Sequence, residues 1–412
     1  MTAPDPADLP ADSTPATLAP EAPAEVQAST RHPAHPALGR PAPHRSGLLA
    51  AGIVGYLIVG AAVLLVVVYF LSFLGPGLTV VGAVLALVPL AIVLLGIRWI
   101  DRWEPEPFGI LLFAFLWGAG VSIVLALTVD VGVQLALSAR GGPTDTSQLL
   151  QSVVQAPIVE ESAKGLGVLL IFLVARRYFD GPVDGVVYAA TVAAGFAFSE
   201  NIQYFGEQIS SEGGFDGSVA QIFFIRGLLS PFAHVMFTAM TGLFIGMAAR
   251  RGGRLAGVGL FFVGLVPAIL LHAFWNGSLA FVSDFLGYYL LVQMPLFAIG
   301  LVAVVLLRRR EVRLTQLRLG EYAAAGWFNA GELQSLATPV GRRRSMSWAK
   351  SNGVGRLMRS YIRDATRLAF TRNRIVTQRD HVAAQAEEAA LLARVSAERG
   401  ALAAAVSRVP AG

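Results

Sequence analysis

The sequence predicts an all-α protein, a polytopic membrane helix bundle of about eight transmembrane helices with a cytosolic helical C-terminal tail. Three observations carry that prediction. Only 14% of the 412 residues are charged and 55% are hydrophobic, whereas a soluble chain carries about 25% charged residues; mean hydropathy is +0.60. The apolar residues fall into runs of the length that spans hydrocarbon, about 20 residues each. The segments between those runs alternate between arginine-rich and arginine-poor.

Residues 1–46 hold ten of the 22 prolines and show no apolar period. They read as a disordered cytoplasmic tail, because they cannot bury enough apolar surface to offset ordering entropy. A bundle domain follows over 47–307, with spans expected at 48–73, 78–99, 108–138, 149–175, 183–206, 220–249, 255–282 and 286–307. Each is expected to be helical, since lipid offers no partner to open backbone groups. Arg98 and Arg102, Arg176 and Arg177, Arg250 to Arg254, and Arg308 to Arg310 mark every second loop. The positive-inside rule then places both termini in the cytoplasm of a multi-pass plasma-membrane protein.

From position 308 onward the chain carries 19 Lys and Arg against 8 Asp and Glu, a net of +11. Residues 354–376 and 380–405 show apolar positions at helical spacing. This basic tail suits anionic lipid headgroups or a cytosolic partner, and no aromatic–basic module points to nucleic acid. Cysteine is absent, which excludes disulfides, cysteine nucleophiles and thiolate metal sites.

Ionisable groups at membrane depth are costly and usually functional. The patterned ones here, with their amide neighbours, are Glu160, Glu161 and Lys164 in the fourth span, Glu200 with Asn201 in the fifth, His234 in the sixth, and His272 with Asn276 in the seventh. Glu160 and Lys164 share a helix face at i,i+4, as do His272 and Asn276. At about 1.5 Å per residue, Glu160, Glu200, His234 and His272 all fall in the outer half of the bilayer, which points to one shared cavity. Glu200, His234 and His272 suit a divalent metal such as zinc, with Glu160 as general base, Glu161 orienting a neighbour and Asn276 donating to an oxyanion. Glu160 could equally activate water without a metal. Lys164, one of only two lysines, is expected to keep Glu160 ionised. Glu200 could also pair with Arg226, and Asn201 could make a simple interhelical hydrogen bond. Asp180 and Asp184 read as loop acids. Phe196, Phe274 and Trp275 read as packing residues. A proton- or ion-coupled transporter is the competing class, although no two-fold repeat of broken helices is visible.

The ordered set Glu160-Glu161-x-x-Lys164, Phe196-x-x-x-Glu200-Asn201, His234 and His272-x-x-x-Asn276 resembles the PrsW family of intramembrane proteases, related to the CAAX prenyl endopeptidases. The Asp101-Arg102-Trp103-Glu104-Pro105-Glu106-Pro107 loop looks like that family's loop before the core. The resemblance covers roughly 50–307. It implies a membrane-embedded endopeptidase acting on a membrane-protein substrate, such as one similar to an anti-sigma factor, with the glutamates and histidines as the metal or water-activating site. The CAAX branch carries an arginine one position later in its first motif and a histidine in its second. Lys164 and Glu200 stand here instead, against a prenyl substrate.

Overall fold

The computed structural model describes residues 45–251, 253–377 and 381–406; most of the proline-rich tail expected over 1–46 lies outside them. Every regular element among the described residues is helical. The membrane part comprises α1 (Arg45–Phe73), α2 (Gly75–Ile100), α3 (Phe108–Ser138), α4 (Ala156–Val174), α5 (Pro182–Ser211), α6 (Ala233–Arg251), α7 (Arg254–Phe281) and the first half of α8 (Met294–Ala324). Helical turns over Asp145–Leu150 and Gln151–Gln155 lead into α4. Further turns over Gly217–Ile222 and Phe223–Leu229 precede α6.

Seven helices are long and apolar enough to cross a membrane among the described residues, one fewer than the sequence reading expected. The missing one is α4. It is helical for 19 residues, but Glu160, Glu161 and Lys164 crowd three ionisable groups into five positions, so composition alone does not mark it as a span. Its hydrophobic neighbours and its central contacts with α6 and α7 place it inside the bundle all the same.

α5 is the axis of this bundle. In its most apolar stretch 89% of the residues are buried, against 6–33% in the other six, so their outward faces are left for lipid. Small residues make the central position possible. A Cβ on Gly185 would stand 2.0 Å from the Gly242 carbonyl oxygen, and one on Gly195 would stand 2.0 Å from that of Phe115. Backbone-to-backbone approach of this kind is how helices associate in lipid, where no hydrophobic drive favours contact.

The last span does not stop at 307. α8 continues unbroken for 31 residues and enters a helical domain with α9 (Ala330–Ala337), α10 (Pro339–Ser351), α11 (Gly355–Val376) and α12 (His381–Val406). α11 and α12 match the periodicity in the sequence; α9 and α10 are short and were not expected. The domain has its own core, including Leu319, Phe328, Leu336, Leu368 and Leu391. It packs on the loop between α2 and α3. The Trp103 indole donates to Thr315 Oγ1 at 3.0 Å, and the Arg342 guanidinium lies 3.4 Å from the centre of the Trp103 ring while donating to the Trp103 carbonyl at 3.0 Å. In the same loop Glu106 accepts a hydrogen bond from Tyr188 of α5. Burial pushes the Glu104 and Glu106 carboxyls well above the ordinary range. It raises Asp101 to about 7, against the opposing backbone N–H of Glu106 and the charge of Arg98. Asp184 caps the start of α5, accepting from the backbone N–H groups of Asp180 at 2.5 Å and Gly181 at 2.9 Å.

Candidate active site

The polar residues that the sequence scatters over four helices meet in the structure. α4 contributes Glu160, Glu161 and Lys164, α5 contributes Glu200, α6 contributes His234 and α7 contributes His272. Three of them, Glu160, His234 and His272, offer ligand atoms that all lie within 4.8 Å of one another. The imidazole rings stand 5.2 Å apart and nearly perpendicular. Phe237, itself buried, stacks on His272 at 4.9 Å.

The carboxylates divide the work differently from the sequence expectation. Lys164 is fully buried, and its ammonium lies 2.6 Å from Glu161 Oε1 but 3.5 Å from Glu160 Oε2. Its closer partner is thus the i−3 residue, because α-helical spacing brings both i−3 and i−4 onto one face. Glu161 is also fully buried. It accepts from Thr238 Oγ1 at 2.8 Å and from His272 Nδ1 at 3.0 Å. That bond leaves the His272 Nε2 lone pair facing Glu160 Oε2, 3.9 Å away.

Glu200 stands in the same relation to His234. Its Oε2 accepts from His234 Nε2 at 2.8 Å and from Arg226 Nη2 at 2.6 Å. The position expected to supply a metal ligand is therefore bound to a guanidinium and a histidine. The group whose atoms converge contains Glu160 in its place. Arg226 also donates to Asn201 Oδ1 at 3.1 Å, the simple interhelical bond anticipated for that residue. Asn276 Nδ2 donates to the Ser152 carbonyl at 2.9 Å, tying α7 to the turn that leads into α4. Phe196 packs against the Lys164 ammonium at 4.1 Å.

Thr238 was missed by the sequence reading. It lies one turn beyond His234, so the i,i+4 rule applied to the histidine would have found it.

Two imidazoles and one carboxylate form a donor set that suits a catalytic divalent cation. His272 Nδ1 and His234 Nε2 each sit on a carboxylate, the outer support that fixes tautomer and ring orientation in such sites, while the other nitrogen of His234, Nδ1, lies 3.3 Å from the Lys164 ammonium. The residues present fit a metal of this class. A cavity of about 340 Å³ opens onto Glu160 and Glu200 between α3, α5 and the turns before α4. A larger cavity of about 430 Å³ lies under the 101–107 loop. Its acids Glu104, Glu106, Asp180 and Asp184 lie opposite Arg363, Arg367 and Arg374 of the C-terminal domain, with Arg374 paired to Asp180 at 3.7 Å, and no histidine lines it.

The fold and centre define a helical membrane protein with a buried two-histidine carboxylate site. The model of the PrsW family intramembrane metalloproteases matches residues 106–300. The chain is 31% identical over 193 residues to Protease PrsW of Clostridioides difficile (strain 630), covering 47% of this chain and 76% of that protein. It is 29% identical over 201 residues to Protease PrsW of Bacillus subtilis (strain 168), covering 49% and 84%. It is 32% identical over 148 residues to Protease PrsW of Geobacillus kaustophilus (strain HTA426), covering 36% and 58%. No solved structure matches. The chain belongs to the PrsW family of intramembrane proteases. It is a multi-pass membrane protease, and the matched region contains all four helices that build the site.

Proposed function

We propose that this protein is an endopeptidase that hydrolyses a peptide bond of a membrane-protein substrate at the Glu160/His234/His272 centre, in the outer half of the bilayer, with both chain termini in the cytoplasm. The observation that carries this reading is the convergence of those three ligand atoms within 4.8 Å, with a separate carboxylate behind each histidine. The alternating arginine loops support the orientation.

In this reading Glu160, His234 and His272 hold a divalent cation, zinc being the best match to the donor set. When bound, such a cation lowers the pKa of a water to about 7 and polarises a carbonyl. The remaining work belongs to side chains. Glu161 accepts the His272 Nδ1 proton and keeps Nε2 available. Glu200 fixes the His234 ring through Nε2 and is itself held by Arg226, which leaves His234 Nδ1 beside the Lys164 ammonium at 3.3 Å. Lys164 offsets the charge of the paired glutamates, so that Glu161 remains an acceptor. Phe237 and Phe196 exclude water from the far side of the rings. In the metal-free version of the reaction, Glu160 takes a proton from the attacking water with His272 beside it.

The test is proteolysis of a single-span substrate by the purified protein, together with metal analysis. Glu160→Gln, His234→Ala and His272→Ala are expected to remain folded, to lose cleavage and to lose stoichiometric metal. Full cleavage by all three would overturn the reading. Cleavage by a metal-free wild type would select the glutamate–water version.

A further inference from the structure

We infer that the groove leading to this centre takes an extended substrate segment, holds its main chain with side-chain amides, and selects a basic side chain at its mouth. The inference rests on the hydrolase reading above and adds to it the class of segment recognised.

One wall is the helical run before and into α4. Gln148, Gln151 and Gln155 line the cavity at i, i+3 and i+7, across a π-helical turn over Gln151–Gln155, and Glu160 lines it further along in α4. The facing wall is α5, where Glu200, Gln203 and Glu207 line the cavity with the same i, i+3, i+7 spacing. A peptide bond that reaches membrane depth must have its N–H and C=O groups satisfied. A side-chain amide supplies both a donor and an acceptor, so Gln148, Gln151 and Gln155 on one wall, with Gln203 opposite and donating to Glu207 at 2.8 Å, suit an unwound backbone whatever its side chains are. Gln151 already shows the demand. Its Oε1 accepts from Gln134 at 2.8 Å, while its buried Nε2 has no acceptor. Rotation of the amide into the groove would bring it to a substrate carbonyl. From Gln148 to Glu160 is about 18 Å along a helix, the reach of five or six extended residues at about 3.3 Å each.

Charge sets the preference at the mouth. Glu160 and Glu200, at the inner end, are paired with Lys164 and Arg226. Asp130 and Glu207 also line the cavity; neither has an ion-pair partner among the described residues, and no Lys or Arg lines the groove. Glu207 lies two helical turns, about 10 Å, from Glu200. A Lys or Arg two to four residues from the scissile bond would meet this pair.

The experiment presents the full-length protein with single-span substrates carrying a randomised ten-residue stretch, and reads cut sites by mass spectrometry. Wild type is expected to enrich Lys and Arg at least tenfold at one position two to four residues from the cut. Asp130→Asn with Glu207→Gln should abolish that enrichment, and Asp130→Lys with Glu207→Lys should reverse it toward Asp and Glu. Gln151→Leu should raise KM about tenfold while kcat stays within twofold. Cleavage with no charge preference, or a preference unmoved by the charge reversal in a variant that unfolds at the wild-type temperature, would overturn the inference. A library left intact by wild type would instead remove the hydrolase reading on which it rests.

Discussion

Replacing Lys164 by Met tests the electrostatic centre of the bundle. The ammonium is fully buried and stands 2.6 Å from an equally buried Glu161 oxygen. At an effective dielectric of about 20, the gross attraction at that separation is about 6 kcal/mol. Breaking a buried pair by removing one partner costs about 3–5 kcal/mol, because the other charge remains buried and unpaired. Lys164→Met is therefore expected to lose about 3–5 kcal/mol, and Glu161→Gln a similar amount. The double variant removes both charges and leaves the carbonyl of the introduced amide to accept from Thr238. It should fall well short of the sum of the single losses, with a coupling of about 0.5–3 kcal/mol. The assay is denaturant unfolding in detergent micelles for wild type, both singles and the double. All three variants should be inactive, since each disturbs the acceptor behind His272. A Lys164→Met protein as stable as wild type, or strictly additive losses, would refute the argument that this ion pair holds the centre together.

Three further outcomes follow from other parts of the molecule. Asp101 keeps its proton to about pH 7 in the folded protein but releases it near 3.8 when unfolded, so its contribution to stability falls as pH rises between those values and is level above them. Relative to wild type, Asp101→Asn should therefore gain in unfolding temperature between pH 5 and pH 8, and an unchanged difference would refute this. Arg342→Ala removes the ring contact and hydrogen bond that clamp Trp103; limited proteolysis should then cut the 101–107 loop at least several-fold faster. Gly185→Leu would drive a side chain into the Gly242 carbonyl and should abolish recovery of folded protein, measured as a monodisperse peak after detergent extraction.

Much of this architecture was legible from hydropathy, because a bilayer forces each crossing into a long apolar helix. The run containing α4 was legible too, over 149–175, although Glu160, Glu161 and Lys164 leave it short of the composition of a lipid-facing span. The residues of the centre were legible because charge at membrane depth is rare. Their pairing was not. From sequence, Glu160 and Glu161 are both within about one turn of Lys164, and only the contacts of Thr238 and His272 with Glu161 show which is drawn inward. Likewise Arg226 and His234 both bear on Glu200, a tertiary fact that spacing along one helix cannot contain. Asn276 is a different case. Its i,i+4 relation to His272 is real, and one of its two amide hydrogens goes to the Ser152 carbonyl, a contact that spacing along one helix does not contain. The C-terminal domain was seen only as two helices, since α9 and α10 are too short to develop a clear period.

The unbroken α8 has a mechanical meaning. Arg308 lies over the Trp99 ring at 4.3 Å and Thr315 meets Trp103. These residues are seven apart, about two turns, so both contacts come from one side of a single rod. With no hinge between them, the C-terminal domain is set in angular register with the last span. One residue inserted between 308 and 315 would turn everything beyond it by about 100°, swinging Thr315 off the Trp103 loop while leaving every helix intact. The length of this segment is thus constrained as tightly as its composition, and any twist imposed on the domain is delivered directly to the loop that holds Tyr188 on the central helix.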